Sequence, residues 1–299
     1  MMKITFLGTS FAIPTLKRNH TSILLTHDGE NILVDCGEGT QRQFRKARLN
    51  PCKITRILIT HWHGDHILGI PGLLWTLSLS GYNKTLFIYG PEGTKKLMRN
   101  ILNTFNINLK FKIDVVEIKK KKFFETDDFY LEAEKMTHGT PCNSYSFVKK
   151  GQIRIDKSKL KKAKIPQGPH LKKLKQGKNI VYNGRKHSAK NLTFKESYKK
   201  ISFVLDTSIN KKIIPFVKDS DLLICDATFH SDLGKEAKEK KHLTAKEAAE
   251  IAKKSKSKKL LLTHISQRYE KDLNRLLNDA KKHFKNVSIV NDLDVLELE

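Results

Sequence analysis

The stretch Ile57–His66, ILITHWHGDH, places three histidines and one aspartate within six residues, directly after an apolar run. In the pattern H-x-H-x-D-H, a tight turn after a strand lets His61 and His63 face one metal ion, and Asp65 and His66 face a second. Imidazole nitrogens and carboxylate oxygens suit zinc, and manganese also accepts them. A zinc protease would carry H-E-x-x-H on a helix instead. The stretch therefore predicts a metal site at the end of a strand.

Other apolar runs end on the same kinds of side chain. In the second half of the chain, Lys200–Leu205 stops at Asp206, Leu222–Cys225 stops at Asp226, and Lys259–Leu262 stops at Thr263-His264. Loops at strand ends that face one edge of a fold converge, while the strands hold them rigidly. We therefore expect these side chains to meet in one site.

The remaining secondary structure is predicted from apolar runs bounded by turn residues. Strands are predicted at Lys3–Leu7, Ser22–Leu25, Asn31–Val34, Ile54–Ile59 and Leu86–Tyr89. A buried helix is predicted over Ile67–Leu79, and a second helix from the Gly90–Gly93 turn to about Asn103. A third helix begins at Thr244–Glu247, whose T-x-x-E pattern predicts a capping box.

Length and composition predict a soluble cytoplasmic protein. The 299 residues suffice for a substantial core, in one large domain or two ordinary ones. The first residues lack the pattern of a signal peptide, and no apolar run approaches the roughly 20 residues that span a bilayer. The four cysteines lie far apart and are predicted to be small buried side chains rather than disulfides, at positions Cys36, Cys52, Cys142 and Cys225.

Positive charge is concentrated in one part of the chain, Lys149–Lys190, called here the basic segment. The net charge of the whole chain is +26, and this segment holds fifteen Lys or Arg and a single acid, Asp156. A general bias toward surface lysine is the alternative explanation, but it would spread the excess evenly. We therefore predict an inserted, flexible arm over 149–190, a mobile hairpin-like protrusion whose lysines contact phosphates.

The motif around His61 resembles the signature of the metallo-β-lactamase superfamily, and further positions match its single ligands: His138 in Met-Thr-His-Gly-Thr, Asp206 and His264. This resemblance implies an α/β fold, a four-layer αββα sandwich of two mixed β-sheets, forming one domain over 1–299. It also implies two Zn²⁺ per subunit, with Mn²⁺ or a similar ion as the alternative. One ion would be held by His61, His63, His138 and Asp206, and the other by Asp65, His66, Asp206 and His264. Asp35 would orient the ligand side chains without binding a metal ion itself.

Within the superfamily the chain is similar to the short form of ribonuclease Z, a family of tRNA 3′-processing endoribonucleases. The similar stretches are Phe6–Ser10 with Pro14, Asp35–Thr40, Ile165–Pro169 with Leu171 and Gly177, and Leu262–Tyr269. The resemblance implies cleavage of precursor tRNA after the discriminator base, leaving a 3′-hydroxyl on the tRNA and a 5′-phosphate on the trailer. It places a tRNA-binding exosite on the basic segment, at Gly168, Pro169, Lys172, Lys173 and Lys175. It also implies a homodimer, to whose interface Ile67–Leu79 could contribute.

The resemblance further implies catalytic roles for four residues. Asp65 would take the proton of the attacking water, and His242 would protonate the leaving oxygen, oriented by Asp226. Arg268, four residues beyond His264, would bind the same phosphate. His242 lies two residues before a predicted helix N-cap, where phosphates bind readily. The chain departs from the family in having Asp226 where Glu is usual, and Leu243 within the His-Ser-Thr loop.

Three other functions remain open at this point. A superfamily hydrolase acting on a thioester, lactam or sulfate ester would share the metal site, but it would have no use for the basic segment. A 3′ exoribonuclease would act on the same trailers. A non-catalytic RNA-binding protein would carry structural metals, yet structural zinc sites are normally closed to water, and the shared Asp206 implies open positions.

Overall fold

The computed structural model describes residues 1–298, and strands occupy both halves of the chain. In chain order they are β1 (Met2–Gly8), β2 (Ser22–His27), β3 (Glu30–Val34), β4 (Arg56–Leu58), β5 (Leu86–Gly90), β6 (Ile113–Glu117), β7 (Lys122–Glu125), β8 (Phe129–Met136), β9 (Cys142–Lys149), β10 (Ile153–Ile155), β11 (Ile180–Tyr182), β12 (Arg185–His187), β13 (Thr193–Lys195), β14 (Lys199–Val204), β15 (Leu222–Asp226), β16 (Leu260–Thr263), β17 (Val287–Ile289) and β18 (Val295–Leu298).

Helices connect most of the parallel strands. They are α1 (Thr40–Lys46), α2 (Gly64–Ile67), α3 (Ile70–Leu79), α4 (Thr94–Thr104), α5 (Lys157–Lys162), α6 (Leu171–Lys175), α7 (Ala189–Leu192), α8 (Ile213–Val217), α9 (Gly234–Lys240), α10 (Ala245–Lys254) and α11 (Leu273–Lys281), with short 3₁₀ turns at Pro51–Lys53, Ser231–Leu233 and Gln267–Tyr269. Within residues 1–298 no helix has the length and apolar character needed to cross a membrane.

Fourteen of the strands form two seven-stranded sheets. The first has the order β18-β1-β2-β3-β4-β5-β6 and the second the order β17-β16-β15-β14-β9-β8-β7. Each sheet is parallel along one part, β3 to β6 and β14 to β17, and antiparallel along the rest. Both sheets are therefore mixed, as the superfamily resemblance implied.

Three apolar clusters define four layers. The cluster between the sheets includes Phe6 of β1, Phe147 of β9 and Phe203 of β14. A second cluster lies between the first sheet and helices α1, α3 and α4, and a third between the second sheet and helices α8, α10 and α11. The side chains on both faces of the central strands are thus removed from water, which explains the nearly continuous apolar runs of these strands. The predicted αββα sandwich is confirmed.

The local predictions hold with small shifts and two corrections. Predicted strand Ile54–Ile59 is shortened to β4, and predicted helix Ile67–Leu79 is divided into α2 and α3. Gly69 lies at this break because a Cβ there would approach the carbonyl oxygen of Gly37 to 2.1 Å. Helix α3 is not wholly buried as predicted, since it carries its own solvent-facing side. Cys52 is only half-buried, because it sits in a surface turn, whereas the other three cysteines are buried.

The basic segment has more internal structure than a hairpin. Strand β10 pairs with β13 and β11 pairs with β12, so the segment is closed by a two-stranded ribbon. Helices α5, α6 and α7 pack over a small core of its own, formed by Leu160, Ile165, Leu174, Ile180, Ala189 and Leu192. The prediction of a hairpin-like protrusion missed this core because its apolar residues are scattered along the chain without helical or strand periodicity.

Candidate metal centre and active site

The side chains of the candidate site come from the ends of strands and the loops that follow them. Asp35 follows β3, Asp206 follows β14, and His264 follows β16. These three residues have positive φ angles of 57°, 44° and 61°. A non-glycine residue adopts this conformation only at a cost, and such strain clusters at functional sites. The turns therefore aim the three side chains into a common space between the sheet ends.

The first predicted ligand group is brought together by the fold. The Nδ1 atom of His63 lies 3.0 Å from Nε2 of His61 and 3.1 Å from Nε2 of His138. The Oδ2 atom of Asp206 lies 3.6 Å from Nε2 of His61 and 4.0 Å from Nε2 of His138. The donor atoms of these four residues all lie within 4.8 Å of one another.

The second predicted group lies beside the first and shares Asp206. The Nε2 atoms of His66 and His264 face each other at 3.2 Å. The other carboxylate oxygen of Asp206, Oδ1, lies 3.4 Å from His66 and 3.3 Å from His264. Oδ2 of Asp65 completes the group at 3.3 Å from His66 and 3.4 Å from His264. The carboxylate of Asp206 thus offers one oxygen to each group.

The donors of both groups fit divalent cations. Oδ1 of Asp206 is buried and has no hydrogen-bond partner, which is costly for a carboxylate oxygen unless a cation or another donor pairs with it. The two facing nitrogens of His66 and His264 can share at most one hydrogen. Nitrogen and carboxylate oxygen donors converging in this way are typical of zinc and related divalent metals.

Hydrogen bonds on the far side of the rings orient the ligands. Nδ1 of His66 donates to Oδ2 of Asp35 at 2.7 Å, so Asp35 occupies the position predicted for it. The hydroxyl of Thr60 donates to the same carboxylate at 2.7 Å and accepts from Nδ1 of His61 at 3.1 Å. Both rings are therefore held in the tautomer that leaves Nε2 free to bind a metal.

Two further contacts that orient histidine rings come from residues that were not predicted. Thr228 donates its hydroxyl hydrogen to Oδ1 of Asp226 at 2.6 Å and accepts from Nδ1 of His264 at 3.0 Å. The carbonyl oxygen of Lys241 accepts from Nδ1 of His138 at 3.1 Å. The position of Thr228 two residues after Asp226 was a usable signal, whereas no local pattern marks a backbone carbonyl.

The charges of the cluster shift its pKa values strongly. Burial alone lowers the pKa of His264, but the carboxylate of Asp206 and hydrogen bonds to Asp226 and Asp65 outweigh it and raise that pKa to about 10. Burial also tends to lower the pKa of His66, but the negative charges of Asp206 and Asp35 outweigh burial and raise this pKa. Burial and the neighbouring His66 lower the pKa of His61. Protonated imidazoles and a bound cation are thus alternative partners for the same carboxylates.

His242 lies next to the ligand groups and is oriented by Asp226. Its Nδ1 atom lies 3.1 Å from Oδ2 of Asp226, which also accepts the backbone N–H of Leu243 at 3.1 Å. The predicted capping box of α10 is present, with Thr244 as N-cap and Glu247 completing it. His242 therefore lies near the positive end of this helix, with its Nε2 atom free of Asp226.

Arg268 is engaged in an ion pair. Its two terminal nitrogens lie 3.1 and 3.0 Å from the carboxylate oxygens of Glu236. The side chain is 40% exposed, and its guanidinium packs 5.2 Å from the ring centre of Phe229. Arg268 thus forms a bidentate surface pair with an acid of α9. Glu236 also contacts Lys240, four residues later on the same helix. No pattern in the sequence indicated that Glu236 would pair with Arg268.

Two His/Asp groups that share an aspartate at the strand ends of an αββα sandwich define the class of metal-dependent hydrolases with the metallo-β-lactamase fold. Residues 2–162, just over half of the chain, match the family described as "Anti-Pycsar protein Apyc1". This part carries His61, His63, Asp65, His66 and His138 and ends before the remaining ligands.

Relatives that match over the whole chain narrow the class. Ribonuclease Z of Methanococcus maripaludis is 42% identical over 277 residues, covering 90% of this chain and 88% of its own. Ribonuclease Z of Methanosarcina acetivorans is 35% identical, covering 100% and 98%. The crystal structure of human tRNase Z, short form, superposes with a TM-score of 0.73 at 28% identity, covering 99% of both chains. The chain belongs to the ribonuclease Z family and is an endoribonuclease, and its first half also falls within the Apyc1 family.

Proposed function

We propose that the chain is a zinc-dependent endoribonuclease that removes the 3′ trailer from precursor tRNA. The cut follows the discriminator base and leaves a 3′-hydroxyl on the tRNA and a 5′-phosphate on the trailer. The observation that carries this proposal is the pair of ligand groups sharing Asp206, directly beside the His242–Asp226 pair. Its support from relatives is that the matching proteins are named ribonuclease Z and tRNase Z.

Two cations per subunit would be held by the two ligand groups, with Asp206 between them. The nitrogen and carboxylate donors favour zinc, and manganese is the alternative. When bound, such cations supply an activated water for hydrolysis and neutralise charge on the phosphate. Asp35, Thr60, Thr228 and the Lys241 carbonyl hold the imidazole rings in the orientation that this binding requires.

Asp65 and His242 would handle the protons of the reaction. Asp65 would accept the proton of the attacking water, as the family resemblance implies. The charge of His66 and a hydrogen bond from His264 outweigh burial and lower the pKa of Asp65, so its carboxylate is ionised and can act as an acceptor. As the bond between phosphorus and the 3′-oxygen breaks, His242 donates a proton from Nε2 to that oxygen. Asp226 holds Nδ1 of His242 and stabilises the imidazolium.

Arg268 would bind a phosphate oxygen at the rim of the site. Its bidentate pair with Glu236 is half-exposed, and exposed ion pairs contribute little stability, so exchange of the carboxylate for a phosphate costs little. The same fork of donors that fits Glu236 fits a phosphate. Arg268 thus contributes to binding of the substrate rather than to the chemical step.

The basic segment would bind the body of the tRNA. A cleft of about 500 Å³ within it is lined by residues that include Gly168, Pro169, Lys172, Lys175 and Arg154. Lys173 lies beside them on α6. Lysines contact backbone phosphates and set register, while the folded shape of the RNA supplies selectivity. The predicted mobility of the segment, with ordering on binding, belongs to this proposal.

We further propose that the enzyme is a cytoplasmic homodimer that acts without a membrane partner. Helix α3 exposes Trp75 and Leu79, whose exposed fractions are 54% and 72%, and Leu68, which is 53% exposed, lies two residues before the helix begins. The spacing of four places Trp75 and Leu79 on one side of the helix. A second copy of the chain would cover this apolar side, and light scattering that finds only active monomer would contradict the dimer.

The function is tested by incubating purified protein and zinc with a 3′-extended precursor tRNA labelled at either end. A single cut at the discriminator base supports the proposal. A ladder of products would indicate a 3′ exoribonuclease. An intact precursor would contradict the proposal and favour another hydrolase of the superfamily or a non-catalytic RNA-binding protein. Asp65→Ala is the matched inactive control, expected to retain the fold and to lose turnover.

A further inference from the structure

The part of the basic segment after residue 152, together with residues 191–195 that complete its ribbon, is joined to the second sheet by a short neck, defined here as residues 150–152 and 196–198. Strands β9 and β14 end their pairing at Lys149↔Lys199, and β10 and β13 resume it at Ile153↔Lys195. Both strands advance four positions between these pairs, so the register is unchanged. The ribbon of the basic segment is therefore a direct extension of the β9–β14 pair.

The two chains of the neck lie very close together. The N–H of Glu196 donates to the carbonyl oxygen of Gln152 at 2.9 Å. A Cβ atom at Gly151 would lie 1.9 Å from the carbonyl oxygen of Glu196. Only glycine allows this approach, so Gly151 is required for the two chains of the neck to cross this closely.

Asp128, in the turn between β7 and β8, binds the neck from one side. Its carbonyl oxygen accepts the N–H of Lys150 at 2.7 Å, and its Oδ1 accepts the side-chain amide of Gln152 at 2.9 Å. The ammonium group of Lys150 adds contacts to the carbonyl oxygen of Thr126 and the carboxylate of Glu125, both at 2.6 Å. The end of β7 and the β7–β8 turn thus make four contacts with the first chain of the neck.

The other oxygen of the same carboxylate reaches the first sheet. Nε2 of His27, on β2, lies 2.6 Å from Oδ2 of Asp128. His27 is only 4% exposed, and its ring packs edge-on against Phe147 at 5.5 Å. A charge-assisted hydrogen bond to a buried partner is stronger and better defined than a surface ion pair. Asp128 therefore connects the rigid interior of the sandwich to the neck.

We propose that Asp128, held by His27 and bonded to Gln152, is a positioning residue that sets the direction of the basic segment relative to the metal centre. The inference rests on the proposed function, since it concerns how the lysines of this segment meet a precursor tRNA. A segment attached through a two-stranded neck moves at its far end when the neck tilts. Holding the neck lowers the cost of orienting the segment on binding, and so it acts on affinity and not on chemistry.

The test compares Asp128→Ala and Gln152→Ala with Asp127→Ala in the full-length enzyme loaded with zinc. Asp127 is an exposed acid beside Asp128 that forms no hydrogen bond or ion pair within the described chain, so its removal is the matched charge control. Gln152 is also exposed, and its loss leaves the core of the sandwich intact. Loss of a hydrogen bond to a charged group predicts a roughly tenfold higher KM for precursor tRNA in both neck variants, with kcat unchanged. Hydrolysis of bis(p-nitrophenyl) phosphate stays at the wild-type rate.

Two further readouts separate positioning from direct contact. The dependence of KM on salt keeps the wild-type slope in the neck variants, because the number of phosphate contacts is unchanged. In an enzyme that already carries Lys172→Ala and Lys175→Ala, Asp128→Ala raises KM for precursor tRNA by a smaller factor than in the wild type. The reason is that the orientation of the segment matters less for affinity once these lysines no longer bind phosphates.

Three results would overturn the inference. Asp127→Ala could raise KM as much as Asp128→Ala, which would assign the effect to charge alone. The small phosphodiester could be hydrolysed more slowly by both neck variants, which would show damage to the body of the enzyme. The neck variants could match the wild type while the lysine variants do not. A wild-type enzyme that cleaves the small ester but no precursor tRNA would instead refute the proposed function, and this inference with it.

Discussion

At the scale of single residues, the site depends on side chains that bind no metal themselves. Thr60 and Thr228 each accept a hydrogen bond from the Nδ1 atom of a ligand histidine and donate to an aspartate behind it. A hydroxyl suits this position because it accepts and donates at once. Each threonine therefore selects the tautomer of its imidazole and leaves the Nε2 atom of that ring facing the candidate metal site.

Replacement of Thr228 should weaken one metal site and spare the other. Thr228→Val keeps the shape of the side chain but leaves Nδ1 of His264 without its acceptor. Loss of such an orienting partner lowers metal affinity by roughly 10- to 100-fold. Zinc titration against a chromophoric chelator should show one weakened site of two. Thr263→Val is the control, because the Thr263 hydroxyl is buried without a partner, and equal losses in both variants would contradict the role of Thr228.

Metal affinity should rise with pH beyond the usual range of histidine. In the metal-free protein the neighbouring carboxylates raise the pKa values of His66 and His264, that of His264 to about 10, so the two facing Nε2 atoms keep a shared proton at neutral pH. A cation must displace this proton, so zinc binding releases it and strengthens as pH increases. Calorimetry in two buffers of different ionisation enthalpy measures the release. A binding enthalpy that is the same in both buffers at pH 7 would show that the rings are already neutral.

The same shift has a consequence for the metal-free fold. A histidine with a raised pKa in the folded state stabilises that state while it is protonated. The contribution of His264 is therefore complete below its ordinary pKa of 6.5 and is lost as pH rises through about 10.

At the scale of secondary structure elements, the ends of strands and helices matter more than their middles. Asp35, Asp206 and His264 each follow a strand in a left-handed conformation, and His242 precedes the capped end of α10. Strand interiors are buried on both faces and give the ends a rigid support. The predictions from apolar runs located these ends correctly because burial acts along the whole run, while the boundaries shifted by one or two residues.

The cap of α10 should affect stability and the position of His242 together. Thr244→Ala removes the side-chain acceptor for the N–H of Glu247, at a cost of about 1 kcal/mol in the free energy of unfolding. Thr244→Ser keeps the acceptor and should unfold like the wild type. Denaturant unfolding of the three proteins measures the difference. Equal midpoints for all three would show that the helix begins without the help of this cap.

At the scale of the whole molecule, the sandwich and the basic segment have separate cores and separate tasks in the proposed function. The segment carries over half of the net charge of +26, and its ribbon continues the β9–β14 pair through the neck. Its helices pack on one another over their own apolar cluster. Binding of RNA and hydrolysis of a phosphodiester should therefore be separable by mutation.

Deletion of Gly151–Lys190 should abolish cleavage of precursor tRNA and spare hydrolysis of a small phosphodiester. Neutralising Lys172, Lys173 and Lys175 in the full chain should also reduce the dependence of tRNA binding on salt, by a slope of about one for each phosphate that is no longer bound. Filter binding at several salt concentrations measures the slope. An unchanged slope would exclude phosphate binding by these lysines, and loss of both activities on deletion would make the segment part of the core.

The sequence by itself determined the features that depend on neighbouring residues. The metal motif, the strand runs, the capping box and the excess of lysine each lie within a short window, where local geometry or composition is enough. Only the tertiary structure decided which partners those residues take. The pairing of Arg268 with Glu236, of Thr228 with His264 and of His27 with Asp128 joins positions 32 to 101 residues apart. Such contacts arise because folding the chain brings distant segments to the same edge, and no local pattern records which segments will meet.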